Sequence, residues 1–206
     1  MIIRRSFNFC AAHIVRNCTS GRCSKNLHGH NYLVEIFVSA NHLDSAGMIL
    51  DFGIFKNQIA DFIDGFDHAH HLWNLEDQKI IDFATHISER YVILSHNPSA
   101  ESYALLFLFF ITKFLQAMHL GNNEGELVLE SVRIHETDHG YAEAFRQDLE
   151  NQLLMKNISL DSIYFSSMIQ KEWKDPQMLE KLKSYHQNPT TIKPFIYQTP
   201  PHQVKL

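Results

Sequence analysis

The chain has 206 residues, 45% of them hydrophobic and 20% charged, with a formal net charge of −5 when histidine is neutral. That balance supports a core-forming domain and excludes a disordered chain. It also argues against nucleic acid as a partner, because phosphate binding wants a basic face.

Met1 leads straight into an alternating stretch, which reads as a strand rather than a signal peptide. The cysteine count is 3, an odd number, so a reduced, cytoplasmic setting with unpaired thiols is expected. From Ile3 to His13 the odd positions are Ile3, Arg5, Phe7, Phe9, Ala11 and His13, a period-2 strand pattern. A polar loop over Arg16 to Asn26 follows. From His28 the even positions His28, His30, Tyr32, Val34, Ile36 and Val38 again form one strand face, so the two strands pair as an antiparallel hairpin. Phe52, Phe55, Ile59, Phe62 and Phe66 share one helical face, which predicts a helix over Phe52 to about Ile63. The stretch from His68 to Asn97 is hard to read, although YVIL within it is strand-like.

Ser99 is placed to cap an apolar helix running to about Leu120. Its most apolar run, Tyr103 to Ile111, is far shorter than the roughly 20 residues a membrane span needs, so the helix is expected to be buried and no membrane partner is expected. Leu127 to Thr137 and Tyr141 to Phe145 read as a second strand pair around Gly140. The fold class is therefore α+β with the order ββααββ. It is expected to be a four-stranded antiparallel sheet with two helices on one face. Residues 1–146 form that domain, and 147–206 form a C-terminal extension, helical in part with a Pro-rich loose end, for which the sequence gives no role.

The count of 14 histidines is high, so their spacing carries the information. On a strand, His28 and His30 point the same way, and the hairpin brings His13 beside them. Gly29 leaves room between them for close backbone approach. Three imidazoles leave a zinc ion one open coordination position, the signature of a catalytic site. In the loop, Cys23 or Cys18 would be a thiolate activated by the nearby ion, or simply a further ligand or an inert thiol. Cys10, on the opposite strand face from His13, reads as core. Asp67 beside His68 can form a proton-shuttling pair, though His70 and His71 compete for that role. Glu101 opens its helix, where acids are favoured. Glu136 shares a strand face with Val132 and Ile134, so its carboxylate needs donors, either an internal partner or a guanidine-like ligand edge.

Several segments together resemble the 6-pyruvoyl-tetrahydropterin synthase and 6-carboxytetrahydropterin synthase family. They are FNFCAAH at Phe7–His13, CSKNLHGHNY at Cys23–Tyr32, GMILDF at Gly47–Phe52, FDH at Phe66–His68, NPSAES at Asn97–Ser102 and RIHET at Arg133–Thr137. The resemblance implies the tunnelling fold and a homohexamer with active sites between subunits. It implies Zn2+ on His13, His28 and His30, Cys23 as base, Asp67 and His68 as proton relay, and Glu136 as pterin anchor with Glu101 assisting. The implied substrate is 7,8-dihydroneopterin triphosphate. The carboxy branch, which releases triphosphate and acetaldehyde on the way to queuosine-type deazapurines, is the preferred reading. The pyruvoyl branch and a non-catalytic pterin-binding oligomer are the alternatives. Two departures stand out: Cys23 lies five residues before His28, between the spacings of the two branches, and FDHAHHLWN is longer than the family's LDHxxLN, with one extra residue between DH and Leu72.

Overall fold

Strands β1 (Ile2–His13) and β2 (His28–Ala40) form the antiparallel pair that the period-2 pattern predicts. The computed structural model describes residues 1–188 and 192–197. Between the two strands, the polar loop contains the short helix α1 (Gly21–Lys25). A 3-10 turn (Ile54–Lys56) then leads to α2 (Gln58–Asp64), followed by β3 (Ala69–Trp73), α3 (Gln78–Ile87) and β4 (Tyr91–Leu94). The long helix α4 (Ala100–Gln116) runs into β5 (Met118–Leu120), β6 (Leu127–Thr137) and β7 (Gly140–Phe145). Beyond it lie a 3-10 turn (Arg146–Glu150), β8 (Ile163–Phe165), α5 (Ser167–Glu172), α6 (Met178–Gln187) and β9 (Phe195–Tyr197).

The main sheet has seven strands in the order β7-β6-β2-β1-β3-β4-β8. Its β7-β6-β2-β1 half is the antiparallel four-strand unit expected from sequence. The expectation of four strands is corrected by the other half, where β3 pairs parallel to β1, β4 parallel to β3, and β8 antiparallel to β4. The result is a mixed sheet with helices on one face. The added strands are short, 5, 4 and 3 residues, and too brief to show a clear period. The helix expected from Phe52 starts late, at Gln58, and Phe52 is exposed. Asp51 Oδ1 accepts the Gly53 N–H at 2.7 Å, a local turn that competes with helix geometry.

Ser99 caps α4 by accepting the Ser102 N–H at 3.3 Å, and the helix is apolar on nearly all sides because nearly all sides are buried. It ends at Gln116 rather than Leu120, where the chain turns into β5, which pairs with β9. Phe62 from α2 stacks on Phe110 with ring centroids 5.0 Å apart and meets Phe107 and Phe114 edge-on. Phe165, from β8, joins the same cluster through Phe62 and Phe66 and packs on Trp173 at 5.0 Å. A Cβ on Gly65 would stand 2.7 Å from the Phe165 ring, so that glycine is what lets the aromatic ring close in. The segment after residue 147 is therefore less helical than its pattern suggests: it contributes two strands, and its buried residues share the core with α2 and α4. Of the Pro-rich end, 198–206 lies outside the described residues.

Phe165→Ala should lower the unfolding free energy by about 3–5 kcal/mol in urea denaturation, the cost of truncating a buried aromatic ring. A loss under about 1 kcal/mol would mean that the extension is peripheral to the core.

Candidate active site

The β1–β2 register places His13 directly opposite His28 and Ala11 opposite His30. All three rings then lie on the core face, at the end of the sheet where α4 begins. Their centroids are 4.6 Å (His13 to His28), 5.4 Å (His13 to His30) and 5.2 Å (His28 to His30) apart. One donor atom from each lies within 4.8 Å of the others, so the triad can hold a metal ion. Close strand approach is required here, and a Cβ on Gly29 would stand 2.8 Å from the Ala11 carbonyl oxygen.

Hydrogen bonds outside the triad prepare two of the rings. His13 Nδ1–H donates to the Pro98 carbonyl at 2.6 Å, and His28 Nδ1–H donates to the Asn26 carbonyl at 3.0 Å. These tautomers are set by the carbonyl acceptors, and they leave Nε2 with its lone pair for an ion. Burial lowers the His13 pKa to about 4, with smaller contributions from His28 and His30, so its ring is neutral at pH 7. The Glu136 carboxylate stands 4.0 Å from Nε2 of both His13 and His30 and accepts from the Tyr32 hydroxyl at 3.4 Å. Burial, and then Glu136, push the Tyr32 hydroxyl well above its usual range, so it remains a donor.

A pocket of about 390 Å³ opens beside the triad, and Cys18, Cys23, His28, Glu101 and Glu136 all line it. Cys18 donates its thiol to the Ser20 carbonyl at 3.3 Å. Cys23, on α1, makes no side-chain hydrogen bond among the described residues and shares the pocket wall with His28.

Asp67 and His68 lie elsewhere. Asp67 Oδ1 accepts the Cys10 N–H at 2.7 Å, Oδ2 accepts His68 Nδ1–H at 2.7 Å, and the His68 N–H donates to the Cys10 carbonyl at 2.7 Å. Burial opposes ionisation of Asp67, but the Cys10 and His68 hydrogen bonds outweigh it and hold the carboxyl below its usual range. Burial and then Asp67 raise the Cys10 thiol. Because Cys10 and His13 differ in parity along β1, this group faces the opposite side of the sheet. It borders a second cleft of about 440 Å³, lined by Cys10, His30, Asn31, His68, His70 and Ser88. Neither Asp67 nor His68 lines the pocket that Cys23, His28, Glu101 and Glu136 share.

The three histidines after Asp67 separate by environment. His71 is core: its Nδ1 accepts from the Tyr103 hydroxyl at 2.6 Å and its Nε2–H donates to the Phe66 carbonyl at 3.0 Å. The His70 ring faces Ser88 Oγ at 3.4 Å. His68 alone is hydrogen-bonded to the Asp67 carboxylate.

The chain matches the family described as 6-pyruvoyl tetrahydropterin synthase over residues 2–147. It belongs to that family. Among relatives in this pterin synthase family, a Helicobacter pylori protein named 6-carboxy-5,6,7,8-tetrahydropterin synthase is 47% identical over 204 residues, 99% of this chain and 100% of the relative. An Aquifex aeolicus protein of the same name is 29% identical over 159 residues, covering 68% of this chain and 95% of its own length. The crystal structure of an uncharacterized protein from Wolinella succinogenes superposes with a TM-score of 0.56 at 20% identity, covering 71% of this chain and 98% of that one, which supports the fold. No helix among the described residues is long and apolar enough to cross a membrane.

Two residues at these sites escape the sequence reading. Cys10 is half-exposed on the uncovered sheet face, not core. Its even position, opposite the apolar odd face, was the available signal. Tyr32 stands between His13 and Glu136, and its parity with His28 and His30 places it on their face.

The buried His71 fixes a pH dependence. Burial lowers its pKa from 6.5 to about 3, so the unfolded chain binds a proton over a range where the folded protein does not. Stability from this group is complete above the unfolded value and is lost as pH falls from about 6.5 toward 3, by about 1.4 kcal/mol per pH unit. Unfolding measured between pH 6 and 4 should show a slope at least that steep, since buried His13 and His96 act in the same direction, and His71→Gln should make it shallower.

Proposed function

We propose that this protein is a 6-carboxy-5,6,7,8-tetrahydropterin synthase, a lyase that converts 7,8-dihydroneopterin triphosphate to the carboxypterin with loss of acetaldehyde and triphosphate. The branch is supported by the relatives that carry this name over the whole chain. The observation that carries the site is the single pocket in which a thiol, two carboxylates and the edge of a three-histidine cluster meet.

His13, His28 and His30 would hold Zn2+, a fit supported by the neutral His13 ring and by Nδ1 hydrogens committed to carbonyls on His13 and His28. Bound there, the ion would polarise the hydroxyls of the substrate side chain. Glu136 accepts the N–H donors of the pterin edge, and Glu101 at the pocket rim assists. Cys23 is the base in this pocket, because its sulfur is uncommitted while that of Cys18 is bonded to Ser20. A thiolate here would remove a proton from the substrate side chain within hydrogen-bonding reach.

His68, oriented by Asp67, returns a proton to the ring system. Since it faces the other side of its own sheet, it would serve the pocket of a neighbouring copy. That placement supports the reading of a homo-oligomer with active sites between subunits, a hexamer in this family's pattern. Residues 1–146 supply every proposed catalytic and binding side chain. The described residues of the segment after 147 would act as a structural brace on the sheet and helices.

Incubation with dihydroneopterin triphosphate should release acetaldehyde and triphosphate together. Triphosphate release with a pyruvoyl product and no acetaldehyde would move the protein to the other branch. Cys23→Ala should lower kcat by about 100-fold or more, the scale of a lost general base. His13→Ala should hold one zinc per chain fewer than the wild type in metal analysis. Gly29→Ala, which pushes β1 and β2 apart beside the triad, should weaken zinc binding by about tenfold, a loss on the scale of disturbed ligand orientation.

A further inference from the structure

Cys10, Asp67 and His68 carry more chemistry than a proton relay needs. Their donor atoms, a sulfur, a carboxylate oxygen and a ring nitrogen, all lie within 4.8 Å of one another. Cys10 Sγ is 3.7 Å from His68 Nδ1 and 3.8 Å from Nε2. Two ligands of one tetrahedral zinc, sulfur and nitrogen at normal bond lengths, stand about 3.6 Å apart. The spacing is therefore already that of a shared ion.

The backbone fixes this spacing. His68 has φ 51°, a left-handed conformation that costs energy in a non-glycine residue. It is held there by its N–H to the Cys10 carbonyl at 2.7 Å, while the Cys10 N–H binds Asp67 at 2.7 Å. These reciprocal bonds tie the three side chains together across 57 and 58 residues of sequence. The His68 side chain is 75% exposed within its own chain, so no packing from that chain prevents the ring from turning.

We propose that Cys10, Asp67 and His68 form a second cation site, for a thiophilic divalent ion such as zinc, on the sheet face opposite the histidine triad, and that filling it switches off proton transfer by His68. The switch rests on the relay reading of His68 given above; the site itself does not. The chemistry makes the two states exclusive. The Asp67–His68 hydrogen bond is 2.7 Å long, shorter than the about 3.3 Å between oxygen and nitrogen ligands of one tetrahedral zinc. Seating the ion turns the ring so that the unprotonated Nε2 coordinates and the Nδ1–H, which keeps its proton, passes from Asp67 to solvent; the freed Asp67 oxygen becomes the other ligand. The Cys10 thiol forms its bond to the ion and releases its proton to solvent. A ring nitrogen bound to the ion no longer accepts or delivers a proton. Cys10 supplies the soft ligand that favours zinc over magnesium or calcium.

Cobalt(II) titration of metal-stripped protein tests this, with equilibrium dialysis counting equivalents and near-ultraviolet absorption reporting thiolate-to-cobalt charge transfer. The wild type should bind two equivalents, with a thiolate band that saturates with the second. Cys10→Ser should bind one equivalent and lose that band; its retained first equivalent shows that it is folded. Cys23→Ser should keep both equivalents and the band. One equivalent in the wild type, or two in Cys10→Ser, overturns the site. In turnover assays, zinc beyond one equivalent should lower the wild-type rate by about 100-fold, the scale of a lost acid-base group, and leave Cys10→Ser active. A second equivalent that binds without inhibition overturns the switch and the relay assignment together, and leaves the site standing.

Discussion

The register of β1 against β2 is the constraint on which both proposed sites depend. With His13 opposite His28 and Ala11 opposite His30, three imidazoles fall on one face at one end of the sheet. A slip of one residue would turn every side chain of one strand to the other face and scatter the triad. The register is held by burial: Phe9, Tyr32, Val34 and Ile36 are 0–2% exposed on the same face that carries the histidines. Stacking of Phe9 on Tyr32 at 4.6 Å then ties the core to the triad, because the Tyr32 hydroxyl reaches His13 and Glu136.

The same alternation creates a division of labour. Odd positions of β1 face helices α2 and α4 and supply the candidate metal ligand His13. Even positions face the uncovered side and supply Cys10, on which Asp67 and His68 are anchored. Parallel pairing of β3 beside β1 delivers those two residues, since Ala69 opposes Ala11 and the chain before it must pass Cys10. One strand thus positions both halves of the proposed chemistry and keeps them apart.

Much of this was readable from the residues. The long strands have a clear period of 2, the capped apolar helix has its Ser99, and the H-x-H spacing places two ligands on one face. Of the short elements, β4 was readable, since YVIL at Tyr91–Leu94 is strand-like in sequence. β3 and β8 have 5 and 3 residues, and their strand character comes from neighbours they acquire only in the folded chain. The extension's part in the core was hidden for a similar reason: Phe165 looks like any apolar residue until Gly65 lets it reach Phe62 and Phe66. At the site, DHAHHLWN left three histidines open. Tertiary hydrogen bonds separate them, by burying His71 against Tyr103 and Phe66 and leaving His68 on Asp67.

The placement of His68 and the triad on opposite faces is most directly tested by complementation. Cys23→Ala and His68→Ala chains, each inactive alone, would be co-expressed and co-purified as mixed oligomers. Shared sites predict that a substantial fraction of wild-type turnover returns, because some pockets then combine an intact Cys23 from one chain with an intact His68 from another. Mixed oligomers as inactive as either parent would contradict an active site divided between copies.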